Sequence, residues 1–160
     1  MNIDSLIEGV NDSKKVSAKK REKIYGQIIA SAIDWSVGIV DHERIDEVNI
    51  LNATKEALNI SIRNLKTKPE HILVDALKEI DTMDIPYTSI IEGDAKSYNI
   101  ACASIIAKVT RDRIMEEMDY FYPEYNFGKH KGYGTFEHVK AIKQYGICSI
   151  HRKSFVKKFV

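Results

Sequence analysis

The chain is poor in cysteine. Cys102 and Cys148 are its only two in 160 residues. Neither sits in a CxxC pair or a Cys/His zinc spacing, which excludes a disulfide scaffold and a zinc module and predicts two reduced thiols in a cytoplasmic protein. No apolar run is long enough to span a membrane, so no membrane partner is expected. The opening Met1-Asn2-Ile3-Asp4 lacks the basic, apolar pattern of a secretory signal. Internal repeats and low-complexity segments are absent. One sign of charge does not dominate, since 24 Lys/Arg face 23 Asp/Glu for a formal net charge of +1.

The balance is uneven along the chain. Lys14 to Lys23 holds six Lys/Arg and one Glu, and Gly128 to Lys158 holds eight Lys/Arg and one acid, Glu137. Such runs are ordinarily solvated faces. Two of them, at the two ends of one domain-sized chain, lean towards a polyanion surface. At 44% apolar and 29% charged residues, the composition is that of a globular domain with one core.

Ser17 can cap a helix running to about Asp34, with Ile24, Ile28, Ala32 and Trp35 at helical spacing. Val37 to Val40 reads as a short strand. Ile45, Val48, Leu51, Ala53, Ala57, Leu58, Ile62 and Leu65 mark an amphipathic helix ending before Pro69. His71-Ile72-Leu73-Val74 reads as a buried strand leading into Asp75. Tyr87 to Ile91 reads as another strand. A long helix follows from about Lys96 to Tyr122 and stops at Pro123. Glu124 to Gly134 reads as a loop. Thr135 caps a last helix, which Gly146 breaks, and a basic tail runs from Ser149 to Val160. Strands alternating with helices predict an α/β class. Three visible strands are few for such a sheet.

Asp75 lies at the carboxyl end of a strand, where sites form in open α/β sheets; a turn-capping aspartate would look the same. Asp112 lies on the long helix in line with Lys108, Ile105 and Ala101, bordering an apolar face. A carboxylate there needs compensation. An ion pair with Arg111, Arg113 or Lys108 provides it, and so does a metal ion. Aspartates from a strand end and a helix suit Mg²⁺ or Mn²⁺, ions used in pairs for phosphodiester hydrolysis, though a two-metal site generally needs further carboxylates. Asn11-Asp12-Ser13-Lys14-Lys15 offers amides, a hydroxyl and ammonium groups to a phosphate, or is a plain solvated turn. Gly93-Asp94-Ala95-Lys96-Ser97 has the same character, against simple capping. In Lys129-His130-Lys131-Gly132-Tyr133-Gly134-Thr135, Tyr133 can stack on a sugar or base, or belong to a flexible surface loop. His130, His138 and His151 read as surface residues without a zinc spacing.

In this order and spacing these segments resemble ribonuclease HII. They are joined by Ile45-Asp46-Glu47-Val48-Asn49-Ile50, Leu73-Val74-Asp75, Ala103 to Arg113, and Ile150-His151-Arg152-Lys153-Ser154-Phe155, so the likeness runs from about Ile7 to the end. The resemblance implies an RNase H-like mixed sheet flanked by helices, with a C-terminal helical and basic segment. Residues 1–122 would be a partial catalytic region and 123–160 a substrate-contacting loop, helix and tail of the same domain. It implies hydrolysis assisted by Mn²⁺ or Mg²⁺, with Asp75 and Asp112 as catalytic metal ligands. It implies substrate contacts from Asn11, Ser13, Lys14, Lys15, Lys96 and Ser97, and a Tyr133 packed near a ribose-to-deoxyribose junction. The substrate would be an RNA–DNA hybrid or duplex DNA with embedded ribonucleotides, recognised through the 2′-hydroxyl and helix form. The complete protein would be monomeric.

The departures carry their own expectations. The family's opening strand, bearing an Asp-Glu-Ala-Gly-Arg-Gly motif, and the strand after it have no counterpart here, and Met1 falls inside the usual sequence. Asp4 and Glu8 lack that motif around them. Ala76 stands where the family often has Gly. In a sheet of order 3-2-1-4-5, losing strands 1 and 2 would leave Val37–Val40 two places from Leu73–Asp75. At about 4.8 Å per place, hydrogen bonds cannot cross that gap. Edges would stay open or strands would re-pair, and this chain alone would be poorly stable and nearly inactive. The other readings are a hybrid-binding module without hydrolysis and a different metal nuclease of RNase H-like architecture.

Overall fold

The computed structural model describes residues 6–11 and 13–159. Met1 to Asp4, Asp12 and Val160, named above, lie outside them. The chain divides into two compact units, Met1–Val40 with Thr54–Val109, and Asp41–Ala53 with Thr110–Val160.

The first unit holds helix α1 (Ala18–Ser31), the later part of α2 (His42–Asn64), strands β1 (Ile72–Asp75) and β2 (Tyr87–Ile90), the short α3 (Gly93–Lys96), and the first half of α4 (Tyr98–Phe121). Ser17 caps α1 by accepting a hydrogen bond from the Lys20 amide at 3.4 Å. Ile24 and Ile28 of α1 then pack on Cys102, Ile105, Ile106 and Val109 of α4, which forms one core cluster. Each buried Ile contributes about 1.5–3 kcal/mol. Arg21, one of the six basic residues of the first run, is buried. Its guanidinium donates to the carbonyls of Ser13 (2.9 Å) and Val16 (2.8 Å), fixing the turn ahead of the helix.

The expected helix around Ile45–Leu65 is broken at Asn49, whose φ of 68° is left-handed. The Asn49 side chain accepts from the Leu51 and Asn52 amides (3.0 and 3.1 Å) and so starts the second helical stretch itself.

β1 and β2 pair in parallel, Ile72 opposite Tyr87 and Asp75 opposite Ile90. The expected strand at Val37–Val40 does not form a strand. Among the described residues the only sheet is the β1–β2 pair, and a strand exists only through its ladder. The segment lies against α2 instead. The Ser36 hydroxyl donates to the Ser61 carbonyl. A Cβ on Gly38 would fall 1.8 Å from the Ala57 carbonyl oxygen, so only glycine allows this approach. β1 is also not buried on both faces as expected. Ile72 and Val74 face a second core cluster with Ile62, Ile80 and Ile85, while Leu73 is 37% exposed. One covered face gives alternating burial.

The second unit contains the first part of α2, the rest of α4, a 3₁₀ turn (Pro123–Tyr125), α5 (Phe127–His130), α6 (Phe136–Tyr145) and α7 (Lys153–Val156). Thr135 caps α6 through the His138 amide at 3.3 Å, and Gly146 ends it at φ 81°. The segment expected as a loop is partly helical. Tyr125 and Phe127 are buried there with Ala141, Ile142 and Val156.

Candidate active site and nucleic-acid interface

Asp75 ends β1, and its seat explains two glycine-type signals. The Gly93 amide donates to Asp75 Oδ1 at 2.8 Å. A Cβ on Gly93 would come within 2.7 Å of Ile100 Cδ1 and 3.3 Å of the Asp75 Cα, so glycine permits this close approach. Ala76 has φ 53°. A left-handed residue with a Cβ costs roughly 1–2 kcal/mol, which is why glycine suits that position.

Lys96 and Ser97, expected to meet a phosphate, serve the same turn. Lys96 Nζ donates to the Ile91 carbonyl at 2.8 Å and lies 3.4 Å from a Glu92 carboxylate oxygen. Ser97 caps α3, its amide donating to the Gly93 carbonyl at 2.8 Å. Ser13 is buried, whereas Asn11, Lys14 and Lys15 are exposed.

Asp112, in the second unit, has a side chain 16% exposed. The guanidinium of Arg111 approaches it at 4.0 Å. The same group donates to the Lys131 carbonyl at 2.8 Å and lies 4.9 Å from the centre of the Tyr133 ring. Tyr133 is 56% exposed. Burial, then Arg111, lowers the pKa of the half-buried Arg152, although Arg152 remains a cation at neutral pH.

Among the described residues no three His, Cys, Asp or Glu side chains group so as to hold a metal ion. Asp75 and Asp112 each offer carboxylate oxygens, the donor type that a hard divalent cation takes.

Two features escaped the sequence reading. The Asp46 carboxylate accepts from the amides of Lys153 (2.6 Å) and Ser154 (3.1 Å) and from the Ser154 hydroxyl, clamping the start of α7. The Ser154 hydroxyl leads in holding its pKa below the usual carboxylate value. His130, His138 and His151 are not surface residues. They are 6%, 5% and 5% exposed, beneath the Tyr133 loop. His130 stacks on His138 with ring centres 4.4 Å apart, and Phe127 packs against all three rings.

Burial pushes His138 and His151 below the ordinary histidine value of 6.5. The unfolded chain therefore binds protons near pH 6.5 that the folded unit refuses, and stability rises with pH across that window. The melting temperature should fall as pH drops through about 6.5 towards the lowered values. Thermal unfolding monitored by circular dichroism checks this, and a melting temperature that rises on acidification contradicts it.

A small parallel sheet with an aspartate at its carboxyl edge, among helices, makes an α/β protein. The crystal structure of ribonuclease H2 from Pyrococcus horikoshii OT3 is similar, with a TM-score of 0.75 and 28% sequence identity over 94% of this chain and 80% of that one. The sequence profile of the ribonuclease HII family matches residues 5–158, and the chain belongs to that family. Ribonuclease HII of Acetivibrio thermocellus is 57% identical over 157 residues, covering 98% of this chain and 61% of the relative. The Clostridioides difficile protein of that name is 54% identical over 157 residues, covering 98% of this chain and 61% of its own length. Ribonuclease HII of Caldicellulosiruptor saccharolyticus is 50% identical over 160 residues, all of this chain and 78% of the relative. The chain thus spans about three-fifths of the first and second of these relatives. Among the described residues no helix is long and apolar enough to cross a membrane.

Proposed function

We propose that the chain is the ribonuclease HII part of an endonuclease that hydrolyses the RNA strand of RNA–DNA hybrids and incises duplex DNA at embedded ribonucleotides. The observation that carries this reading is the family match over residues 5–158, with Asp75 held at the carboxyl end of β1 by the Gly93 amide. Asp75 and Asp112 would each offer carboxylate oxygens to Mn²⁺ or Mg²⁺. Such ions, when bound, lower the pKa of the attacking water and offset charge on the leaving oxygen. Exposed Lys14 and Lys15, with Asn11 and the Ser13 backbone, grip a strand phosphate. The Tyr133 ring stacks at the ribose-to-deoxyribose junction, and Arg111 beside it supplies positive charge. Lys96 and Ser97 act on substrate through the turn that seats Asp75, since both are engaged within it.

Two carboxylates do not complete a two-ion centre, so these 160 residues by themselves are weakly active or inactive. The test is binding and cleavage of a duplex with one ribonucleotide, an RNA–DNA hybrid and an all-DNA duplex, with Mn²⁺ or Mg²⁺. Preferential binding of the ribose-containing duplexes with slow, metal-dependent cleavage is expected. Equal cutting of the all-DNA duplex would overturn the substrate assignment. Turnover matching that of the longer relatives would overturn the slow-cutting reading. A hybrid-binding module without hydrolysis is the second reading, using the exposed Lys14 and Lys15 of the phosphate turn and the basic loop around Tyr133. Complete lack of cleavage in Mn²⁺ would select it.

Lys14→Ala should weaken hybrid binding at every sequence. It should also reduce the slope of log K against log salt by about one contact, as titrations at several salt concentrations would show.

A further inference from the structure

The hydrogen bonds of the buried histidines determine where each ring proton sits. His130 Nδ1 accepts from the Gly132 amide at 3.2 Å, so its proton is on Nε2, which donates to the Tyr125 carbonyl at 2.8 Å. His138 Nδ1 faces the Tyr133 carbonyl at 2.9 Å. A carbonyl only accepts, so His138 carries its proton on Nδ1 and leaves Nε2 bare. His151 Nε2 lies 3.1 Å from that bare nitrogen and must donate to it. Its own Nδ1 is then bare and accepts from the Cys148 amide at 3.0 Å, with the Cys148 thiol also at 3.0 Å and the Cys148 carbonyl, which only accepts, left at 3.3 Å without a proton from this ring. The result is a directed relay from the Cys148 amide through His151 and His138 to the Tyr133 carbonyl.

That carbonyl belongs to the residue whose ring is exposed for stacking. Two short-range bonds also hold its backbone, the Tyr133 amide to the His130 carbonyl (2.9 Å) and the Thr135 amide to the Tyr133 carbonyl (2.8 Å). Lys131 (φ 52°) and Gly132 (φ 74°) just before it are left-handed, so the turn needs an external tie to keep its shape. His138 provides one from beneath, within the packed rings of Phe127, His130 and His151.

We infer that His138 is a positioning residue for Tyr133, held in its Nδ1-protonated form by His151, so that the histidines under the loop set how the tyrosine ring meets a nucleic-acid strand. The role of Tyr133 at the strand rests on the function proposed above; the tie between His138 and Tyr133 does not.

Two isosteric substitutions separate the halves of the relay. In His138→Asn the amide nitrogen takes the place of Nδ1 and still donates to Tyr133, while the bond to His151 is lost. His138→Gln reaches the place of Nε2 and still meets His151, while the bond to Tyr133 is lost. A merely structural histidine would make the two variants alike. Amide hydrogen exchange in the ligand-free 160-residue chain is the readout. Tyr133 and Thr135 should stay as protected in His138→Asn as in the parent, and should exchange about fivefold or more faster in His138→Gln. Equal exchange in the two variants would overturn the inference.

Hybrid affinity supplies the functional half. His138→Gln should weaken binding severalfold in the parent and add nothing in a Tyr133→Ala background, whereas additive losses would overturn action through Tyr133. If Tyr133→Ala leaves affinity unchanged, the stacking role fails while the exchange result still decides the tie. Should either variant unfold, long-range proton–nitrogen spectra of the unsubstituted chain decide it. Protonated Nδ1 on His138 with protonated Nε2 on His151 is expected, and a protonated Nε2 on His138 would refute the relay.

Discussion

Asp75→Asn should lower metal-dependent cleavage of a ribonucleotide-containing duplex by at least about a hundredfold, the scale of several kcal/mol that a metal centre contributes to phosphodiester hydrolysis. The substitution is selective for physical reasons. Asparagine retains a side-chain oxygen, so the Gly93 amide keeps an acceptor at the end of β1. It loses the negative charge that makes the side chain a ligand for a hard cation. Folding and the phosphate contacts should therefore persist, and the dissociation constant for an RNA–DNA hybrid in EDTA should change less than about twofold, within the range of a surface substitution. Cleavage assays in Mn²⁺ beside binding titrations in EDTA check both halves. Undiminished cleavage would remove Asp75 from the metal site, and loss of binding would mean that the turn at Gly93 had collapsed.

Phe127→Ala should have the largest effect on stability. Phe127 is 2% exposed and packs on Tyr125, with ring centres 5.4 Å apart, and on the rings of His130, His138 and His151. Truncating a buried phenylalanine costs about 3–5 kcal/mol. That is a large share of the roughly 5–15 kcal/mol that a domain commonly holds. Here the cavity would also open beneath the three histidines, whose hydrogen bonds fix the Tyr133 loop. Denaturant unfolding should show a midpoint shift of this order, with loss of protection in residues 123–159. A change under about 1 kcal/mol would mean that the surrounding rings close the gap unaided.

How legible the molecule was in its sequence depends on the range of the interaction. The caps at Ser17 and Thr135 and the stop at Gly146 were readable because each acts within a few residues. So was the register of Ile24 and Ile28 on α1 and of Ile105 on α4, whereas Ala32 and Trp35, read onto the same helix as Ile24, fall beyond its end at Ser31. The Val37–Val40 strand failed because β-branched residues favour an extended backbone without supplying the neighbour that makes a strand. The helix around Asn49 was read as continuous because its apolar spacing persists across a break that the side chain of Asn49 caps. The partners of Asp46 lie 107 and 108 residues away, beyond any local pattern. The histidines were misjudged because their spacing along the chain says nothing about burial, which the aromatic cluster around Phe127 imposes.

The sequence by itself determined the family, the α/β class, the helix boundaries set by local caps, and the identity of Asp75, Asp112 and Tyr133 as residues to watch. These follow from residue type, order and short spacing. Tertiary structure alone decided that Gly93 seats Asp75, that Arg21 and the three histidines turn inward, and that His138 faces the backbone of Tyr133. Each of these depends on groups brought together by burial of apolar surface elsewhere. The solvent exclusion that makes such polar contacts obligatory exists only once the chain has packed.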